Sequence, residues 1–371
     1  MRLVRRSICA AAMLCAAQAA SAQSSVTLYG VLDVFGFWNN NGGTSTVALR
    51  SGGNVGSLFG LKGSEDLGGG LKADFTVENG FNINNGTFLA DSTVMFYRQS
   101  WVGLSKEKYG SLRLGRQYTP SFFAIYYSDP FRLDEALGLG SSAVLARDAN
   151  TNAVQYLNGR QSNAIQYLSP TIAGFKLSAL YGLSASVTQP TPTTNGNVMD
   201  LALQYNGFGF YGALAYQNQR PGQMTVPALA APLNLLASQR FTGALAYRIG
   251  IVNLQAFYIY TKPDDAPAGS VAARLRAVQP YSVAQIGATI QATPYDTFEV
   301  AGLQRNVRGV SDFTFGYQVG WDHALSKRTS VYARAGYMKN HGTATMSWTG
   351  LAVSKLETSQ SMAAIGMMHR F

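Results

Sequence analysis

From Val26 to the carboxyl terminus, hydrophobic and polar residues alternate with a period of two in short segments broken by turns. In the first segment Val26, Leu28, Leu32 and Val34 share one face, with Thr27, Tyr29 and Asp33 on the other. Later segments are cleaner. Leu201, Leu203 and Tyr205 alternate with Asp200, Ala202 and Gln204, and Phe313, Phe315, Tyr317, Val319 and Trp321 alternate with Thr314, Gly316, Gln318, Gly320 and Asp322. Val331, Ala333, Ala335 and Tyr337 oppose Tyr332, Arg334 and Gly336. Successive strand side chains point to opposite faces, so the pattern predicts strands with one apolar face and one face of small and polar residues. Sixteen such segments are expected, and their fifteen connectors alternate between short and long. The short ones fall at 65–70, 105–110, 169–174, 206–209, 248–251, 293–296 and 325–329. Short turns on one side, long loops on the other and an even strand count predict an all-β fold: a 16-stranded antiparallel transmembrane β-barrel with both termini on the short-turn side. A closed barrel of that size is too wide for side chains to fill and leaves an aqueous channel.

The first 22 residues stand outside the pattern. Arg2, Arg5 and Arg6 form a basic start, residues 8–17 an apolar stretch and Ala20-Ser21-Ala22 a small-residue cleavage site. They read as a signal peptide (1–22), with residues 23–371 forming one barrel domain. The Arg5-Arg6 pair lacks the flanking residues of a twin-arginine signal. Both cysteines, Cys9 and Cys15, leave with this leader, so no disulfide is expected in an exported, oxidising compartment. No later run approaches the ~18 apolar residues that a spanning helix needs. Apolar content is nonetheless 47%, with 20 Tyr and 19 Phe against 13% charged residues. Aromatics bracket the apolar faces, as Phe175 and Tyr181, Phe241 and Tyr247, and Tyr258 and Tyr260 do, which suits rings at two lipid–water boundaries. The formal net charge is +10, and loss of the three leader arginines leaves +7. Those cations are scattered, with no zinc-ligand spacing or other nucleic-acid motif, so no nucleic-acid partner is expected.

One connector departs from the rest. Residues 118–163 form by far the longest, and it carries Phe122, Phe123, Tyr126, Tyr127 and Phe131. A disordered loop would not hold so many rings, so the segment is expected to bury them by folding into the barrel and narrowing it. The alternative is an external flap packed on the rim or on a neighbouring subunit.

Catalysis has little support. Only His323, His341 and His369 are present, Asp322 and His323 are adjacent on a strand and face opposite ways, and no Gly-x-Ser-x-Gly elbow occurs. No enzyme activity, cofactor or metal site is expected; the acidic residues of the long connector lack EF-hand spacing.

Several stretches resemble the general porins of Gram-negative outer membranes, most closely those of the β-proteobacterial type. They include Gln23-Ser-Ser-Val-Thr-Leu-Tyr-Gly30, Phe59-Gly-Leu-Lys-Gly-Ser-Glu-Asp-Leu-Gly-Gly-Gly-Leu-Lys-Ala73 and Arg98-Gln-Ser-Trp-Val-Gly-Leu104. Leu114-Gly-Arg-Gln117 with Thr119-Pro120, Tyr167-Leu-Ser-Pro170, Leu325-Ser-Lys-Arg-Thr329 and the closing His369-Arg370-Phe371 are similar too. The resemblance implies a homotrimeric, water-filled channel for small hydrophilic solutes and anions, set in outer-membrane lipid and lipopolysaccharide. It also implies that Phe371 is the signal read by the barrel-assembly machinery, and that the third external loop forms a constriction inside. Asp129, Asp134 and Glu135 would be the acidic loop side of that constriction. Arg98 in the fourth strand, Arg147 in the loop, Arg160 just before the sixth strand and Lys62 would be its basic side. Two departures matter: Leu58 stands where such porins often carry arginine, which removes a step of the basic ladder and weakens strong anion selectivity, and Met368 stands where the last strand is often polar or basic, which tunes the lumen near the periplasmic mouth. A mild anion preference is expected, a substrate-specific channel with a saturable site is the alternative, and an outer-membrane hydrolase is the remote one.

Overall fold

The computed structural model describes residues 25–89, 94–134, 136–146, 148–155, 159–183, 196–224, 233–353 and 355–371. Its strands are β1 (Ser25–Asn41), β2 (Thr44–Ser51), β3 (Leu58–Gly68), β4 (Leu71–Gly80), β5 (Gln99–Lys106), β6 (Gly110–Tyr118), β7 (Arg160–Leu168), β8 (Phe175–Gly182), β9 (Val198–Gly207) and β10 (Phe210–Gln219). A two-stranded ribbon, β11 (Gly222–Met224) and β12 (Leu233–Leu235), stands apart from the wall. The wall continues with β13 (Ser238–Ile249), β14 (Val252–Pro263), β15 (Tyr281–Gln291), β16 (Asp296–Val307), β17 (Phe313–Ala324), β18 (Thr329–His341) and β19 (Ser359–Arg370).

Each wall strand pairs antiparallel with its neighbours, and β19 pairs back onto β1 from Val31↔Arg370 to Asn41↔Gln360. The sheet therefore closes with no unpaired edge, which removes the usual site of edge-to-edge aggregation. β1 serves two partners on its other side, β3 through Ser25–Val31 and β2 through Val34–Asn41. Since β2 and β3 occupy one wall position in succession, the barrel has sixteen strands. The first connector is thus not the long loop that the connector rhythm suggested. Gly42 and Gly43, both at positive φ, make a tight turn and return the chain along β1 as β2.

The two faces of the wall differ sharply. Ile365, Ile286 and Leu214 are 74%, 71% and 68% exposed, while their chain neighbours Ala364, Gln285 and Ala213 are 4–5% exposed. The exposed face carries the large apolar side chains, and the opposite face carries small, polar and a few charged ones. Packed on that second face is a core that a bare sixteen-stranded wall could not form. It includes Ala124, Ile125, Leu137, Leu139 and Ala143 from the long connector, and Met346 and Trp348 from the connector between β18 and β19. Participation of that last connector was not expected. Asn340 Nδ2 and Gln360 Nε2 both donate to Met346 O, at 2.8 and 2.9 Å, and hold it there.

Candidate functional site

The described residues between β6 and β7 make a series of contacts with side chains on the buried face of the wall. The helix Pro120–Tyr126 starts on a proline, whose missing N–H costs nothing in the first turn. Ser121 donates to Asp200 in β9 through its N–H at 2.9 Å and its Oγ at 2.5 Å. The Tyr211 hydroxyl in β10 donates to Phe123 O and Ala124 O, each at 3.2 Å. Further on, Gln255 Nε2 donates to Tyr127 O at 3.3 Å and Gln285 Nε2 to Asp129 Oδ1 at 2.6 Å. Asp134 reaches Arg334 in β18, Oδ2 to Nε at 3.7 Å. The chain then turns back: Leu139 N–H donates to Gln318 Oε1 at 2.9 Å, Asp148 forms a buried ion pair with Arg305, and Gln155 O accepts from Arg240 Nη2 at 2.7 Å. Anchors on β9, β10 and β13 to β18 make this segment part of the folded wall. Two glycines give it room. A Cβ at Gly287 would lie 2.6 Å from Pro130 Cγ, and one at Gly320 would lie 2.8 Å from both Phe131 Cε1 and Arg334 Nη1.

Basic residues gather on and beside β3, β6 and β7. The Tyr118 hydroxyl accepts from Arg98 Nη2 at 2.9 Å and from Arg160 Nη2 at 2.8 Å. Arg160 lies over the Tyr118 and Tyr97 rings at 4.6 and 5.5 Å. Arg116 lies 5.1 Å over the Tyr97 ring and donates to Ser162 Oγ at 2.8 Å. Beside them Glu78 accepts from Tyr29 OH at 2.9 Å and Gln99 Nε2 at 2.8 Å, and its carboxylate is 4.0 Å from Arg98 Nε. Lys62 Nζ sits 5.2 Å from the Tyr29 ring. Lys62, Arg98 and Arg160 are therefore brought to one side of the barrel.

Two local placements differ from the sequence reading. Arg98 lies in a bend before β5, and Arg160 is the first residue of β7. The bend accounts for the conflicting phase around Arg98: Val102 and Leu104 are 57% and 48% exposed, whereas Arg98 is 6% exposed. Arg116 was missed as a site residue because a bulge between Gly115 and Gln117 shifts the register, and alternation does not reveal a bulge. Gly115, at φ +127, is the residue type that such an irregularity favours.

Among the described residues, Asp129 and Asp134 of the long connector do not join the basic group. Asp129 is fully buried, accepting from Phe131 N–H at 3.1 Å and Leu133 N–H at 2.9 Å as well as from Gln285. Burial raises its carboxyl above the ordinary range, against the pull of those hydrogen bonds. Asp134 is 5% exposed and faces Arg334, which is also 3.5 Å from Glu299 and 3.0 Å from Asp322. Arg132, between them, is exposed. Glu135 and Arg147 lie outside the described residues. Arg240, Arg305 and Arg334 escaped selection as functional residues, although each stands on the polar face of its strand, the signal that could have found them. Phe371 closes the seam, exchanging backbone N–H to O bonds of 3.1 Å with Gly30 in both directions.

The sequence profile of Gram-negative porins matches residues 9–343. The chain belongs to the Gram-negative porin family. Outer membrane porin protein 32 of Delftia acidovorans is 29% identical over 99% of this chain and 100% of its own length. An anion-selective porin from Comamonas acidovorans shares the fold with a TM-score of 0.77, at 24% identity over 94% of this chain and 100% of its own. The outer membrane protein OmpT of Vibrio cholerae, in its trimer form, matches with a TM-score of 0.67 at 15% identity, over 94% and 99% of the two chains.

This porin is an outer-membrane channel whose strands cross the bilayer repeatedly, and its relatives are channels rather than enzymes. Its exposed apolar face is the one that meets lipid; with every wall strand paired, backbone polar groups are satisfied within the barrel, as a hydrocarbon setting demands. The crowding at Gly320 yields a direct test. Gly320→Leu must displace Phe131 or Arg334, and is expected to cost about 1–3 kcal/mol, as overpacking does. The check is a lower temperature for conversion of the folded barrel to the unfolded band in detergent electrophoresis.

Proposed function

We propose that this porin passes small hydrophilic solutes by passive diffusion, with a mild preference for anions. The described residues between β6 and β7 lie inside the bore as part of its third external loop, and the constriction runs between them and the wall bearing Lys62, Arg98, Arg116 and Arg160. The observation that carries the sign is the fate of the loop acids. Asp129 and Asp134 are buried against the far wall and already partnered, while Arg132 on the same loop is exposed. In this reading the two acids anchor the loop, and the field across the opening is set by cations, which favour anions in a wet pore. The Comamonas relative, described as anion-selective, supports the same sign.

The trimer form of the OmpT neighbour supports a homotrimer here. Residues 1–22 act as a cleaved export signal, and Phe371 as the residue read by the barrel-assembly machinery before insertion among lipid and lipopolysaccharide. Current in planar bilayers under a potassium chloride gradient tests the proposal. A reversal potential of anion sign is expected, and one of cation sign would overturn the preference. A second reading, a channel with a saturable site, is favoured by one feature: the rings that line the loop.

A further inference from the structure

The helix Pro120–Tyr126 distributes its side chains against the usual logic of packing. Its buried side carries Ser121, Ala124 and Ile125, while Phe122, Phe123 and Tyr126 stay partly exposed and Tyr127, just beyond, is 50% exposed. Core packing would place the large rings inward and the small residues outward. The rings instead form an unbroken run. Tyr118 stacks on Phe122 at a centroid distance of 4.8 Å, and Phe122 meets Phe123 at 5.5 Å and Tyr126 at 5.9 Å. Tyr126 meets Tyr127 at 5.4 Å, and Tyr127 meets Tyr211 at 5.4 Å.

At one end this run joins the arginines. Tyr118 belongs to both surfaces, with its ring on Phe122 and its hydroxyl accepting from Arg98 and Arg160. Half-buried Arg160 and Arg116 present planar guanidinium groups there, and a guanidinium fork matches a carboxylate. The acids nearest the helix do not oppose an incoming anion: Asp200 and Asp129 are buried and hydrogen-bonded to Ser121 and Gln217, and to Gln285.

We propose that Arg116, Arg160, Tyr118, Phe122 and Tyr126 form a binding site for aromatic monocarboxylates, solutes that pair a flat ring with a carboxylate. The carboxylate sits on the arginines and the ring slides along the aromatic run. This rests on the loop lying in the bore, and it adds a preferred solute class to an otherwise general channel. Charge alone would treat benzoate and cyclohexanecarboxylate alike, since they share charge and nearly share size. Ring–ring contact favours benzoate by a few-fold, about threefold to tenfold for one good aromatic pair.

The test uses the full-length porin in planar bilayers, with potassium chloride current read while benzoate or cyclohexanecarboxylate is titrated. Benzoate is expected to reduce the current saturably, at a half-blocking concentration about threefold to tenfold below that of cyclohexanecarboxylate. Phe122→Leu and Tyr126→Leu should bring the ratio of the two concentrations toward one, and a ratio is insensitive to any change in open conductance. Arg160→Ser should raise both concentrations together. Equal block by the two acids in the unaltered porin would overturn the site, as would an unchanged ratio in both leucine variants. Absence of any chloride current would instead sink the channel reading beneath it, so the two failures are distinguishable.

Discussion

Arg334→Met is expected to destabilise the barrel by about 3–5 kcal/mol, the cost of removing one partner from a buried ion pair. Arg334 is 4% exposed and is the cation among Asp134, Glu299 and Asp322. It also donates to Asn54 Oδ1 at 3.0 Å, which ties the segment between β2 and β3 to the same point. Methionine fills much of the volume but leaves the carboxylates unneutralised against each other. The loss should depend on pH. Burial already holds the Asp134 carboxyl well above its ordinary range, with Arg334 pulling it down and Asp322, Asp129 and Glu299 pushing it up. Without Arg334 the folded chain keeps that proton to still higher pH, whereas the unfolded chain releases it near pH ~3.9. The folded state then binds more protons than the unfolded one above that value, so stability falls as pH rises toward the folded pKa. Thermal conversion in detergent should therefore show a deficit that is large at neutral pH and smaller in acid. A deficit that does not vary with pH would mean that lost packing, rather than unpaired charge, is the cause. With Asp134 released, the loop loses one of its anchors, and single-channel conductance is expected to rise and become noisier.

The second large effect concerns selectivity. The double variant Arg98→Ser, Arg160→Ser is expected to move the reversal potential decisively toward cations. It removes two positive charges and also leaves Glu78 without the guanidinium 4.0 Å away, so a compensated carboxylate becomes an uncompensated negative charge. Screening sets the conditions: the Debye length is about 10 Å at 0.1 M salt and about 3 Å at 1 M, so the shift should be largest in dilute salt and fade in concentrated salt. An unchanged potential at 0.1 M would place the selective field elsewhere on the wall. Arg98 donates to Tyr118, and its loss also loosens that ring, so the single variant Arg160→Ser serves as the milder control, with a shift of the same sign and smaller size.

The long strands were legible because lipid on one side and a polar interior on the other act at every residue. β17, β18 and the pairs around Leu201 follow their expected phase along their length. The alternation fails where a local departure intervenes. Gly42 and Gly43 hide a tight turn in what reads as a loop, a bulge beside Gly115 moves Arg116 to the site, and a bend before β5 frees Arg98 from the phase of Val102 and Leu104. Each is confined to a few residues, and a pattern averaged over a strand does not reveal it.

The sequence by itself determined that this chain is a barrel of sixteen amphipathic strands, what each face meets, and which connector carries an unusual load of rings. Those are consequences of periodicity and composition, which operate along the chain. Which carboxylates stay available was decided only in three dimensions. Asp129 finds Gln285 and Asp134 finds Arg334, partners 156 and 200 positions away, and burial against them leaves neither carboxylate exposed. The long connector's rings likewise acquire a direction only from the wall, because Asp200, Tyr211 and Gln255 grip one side of it and leave Phe122 and Tyr126 on the other. Charge compensation and packing between distant residues depend on distance in space, and spacing along a chain does not encode that.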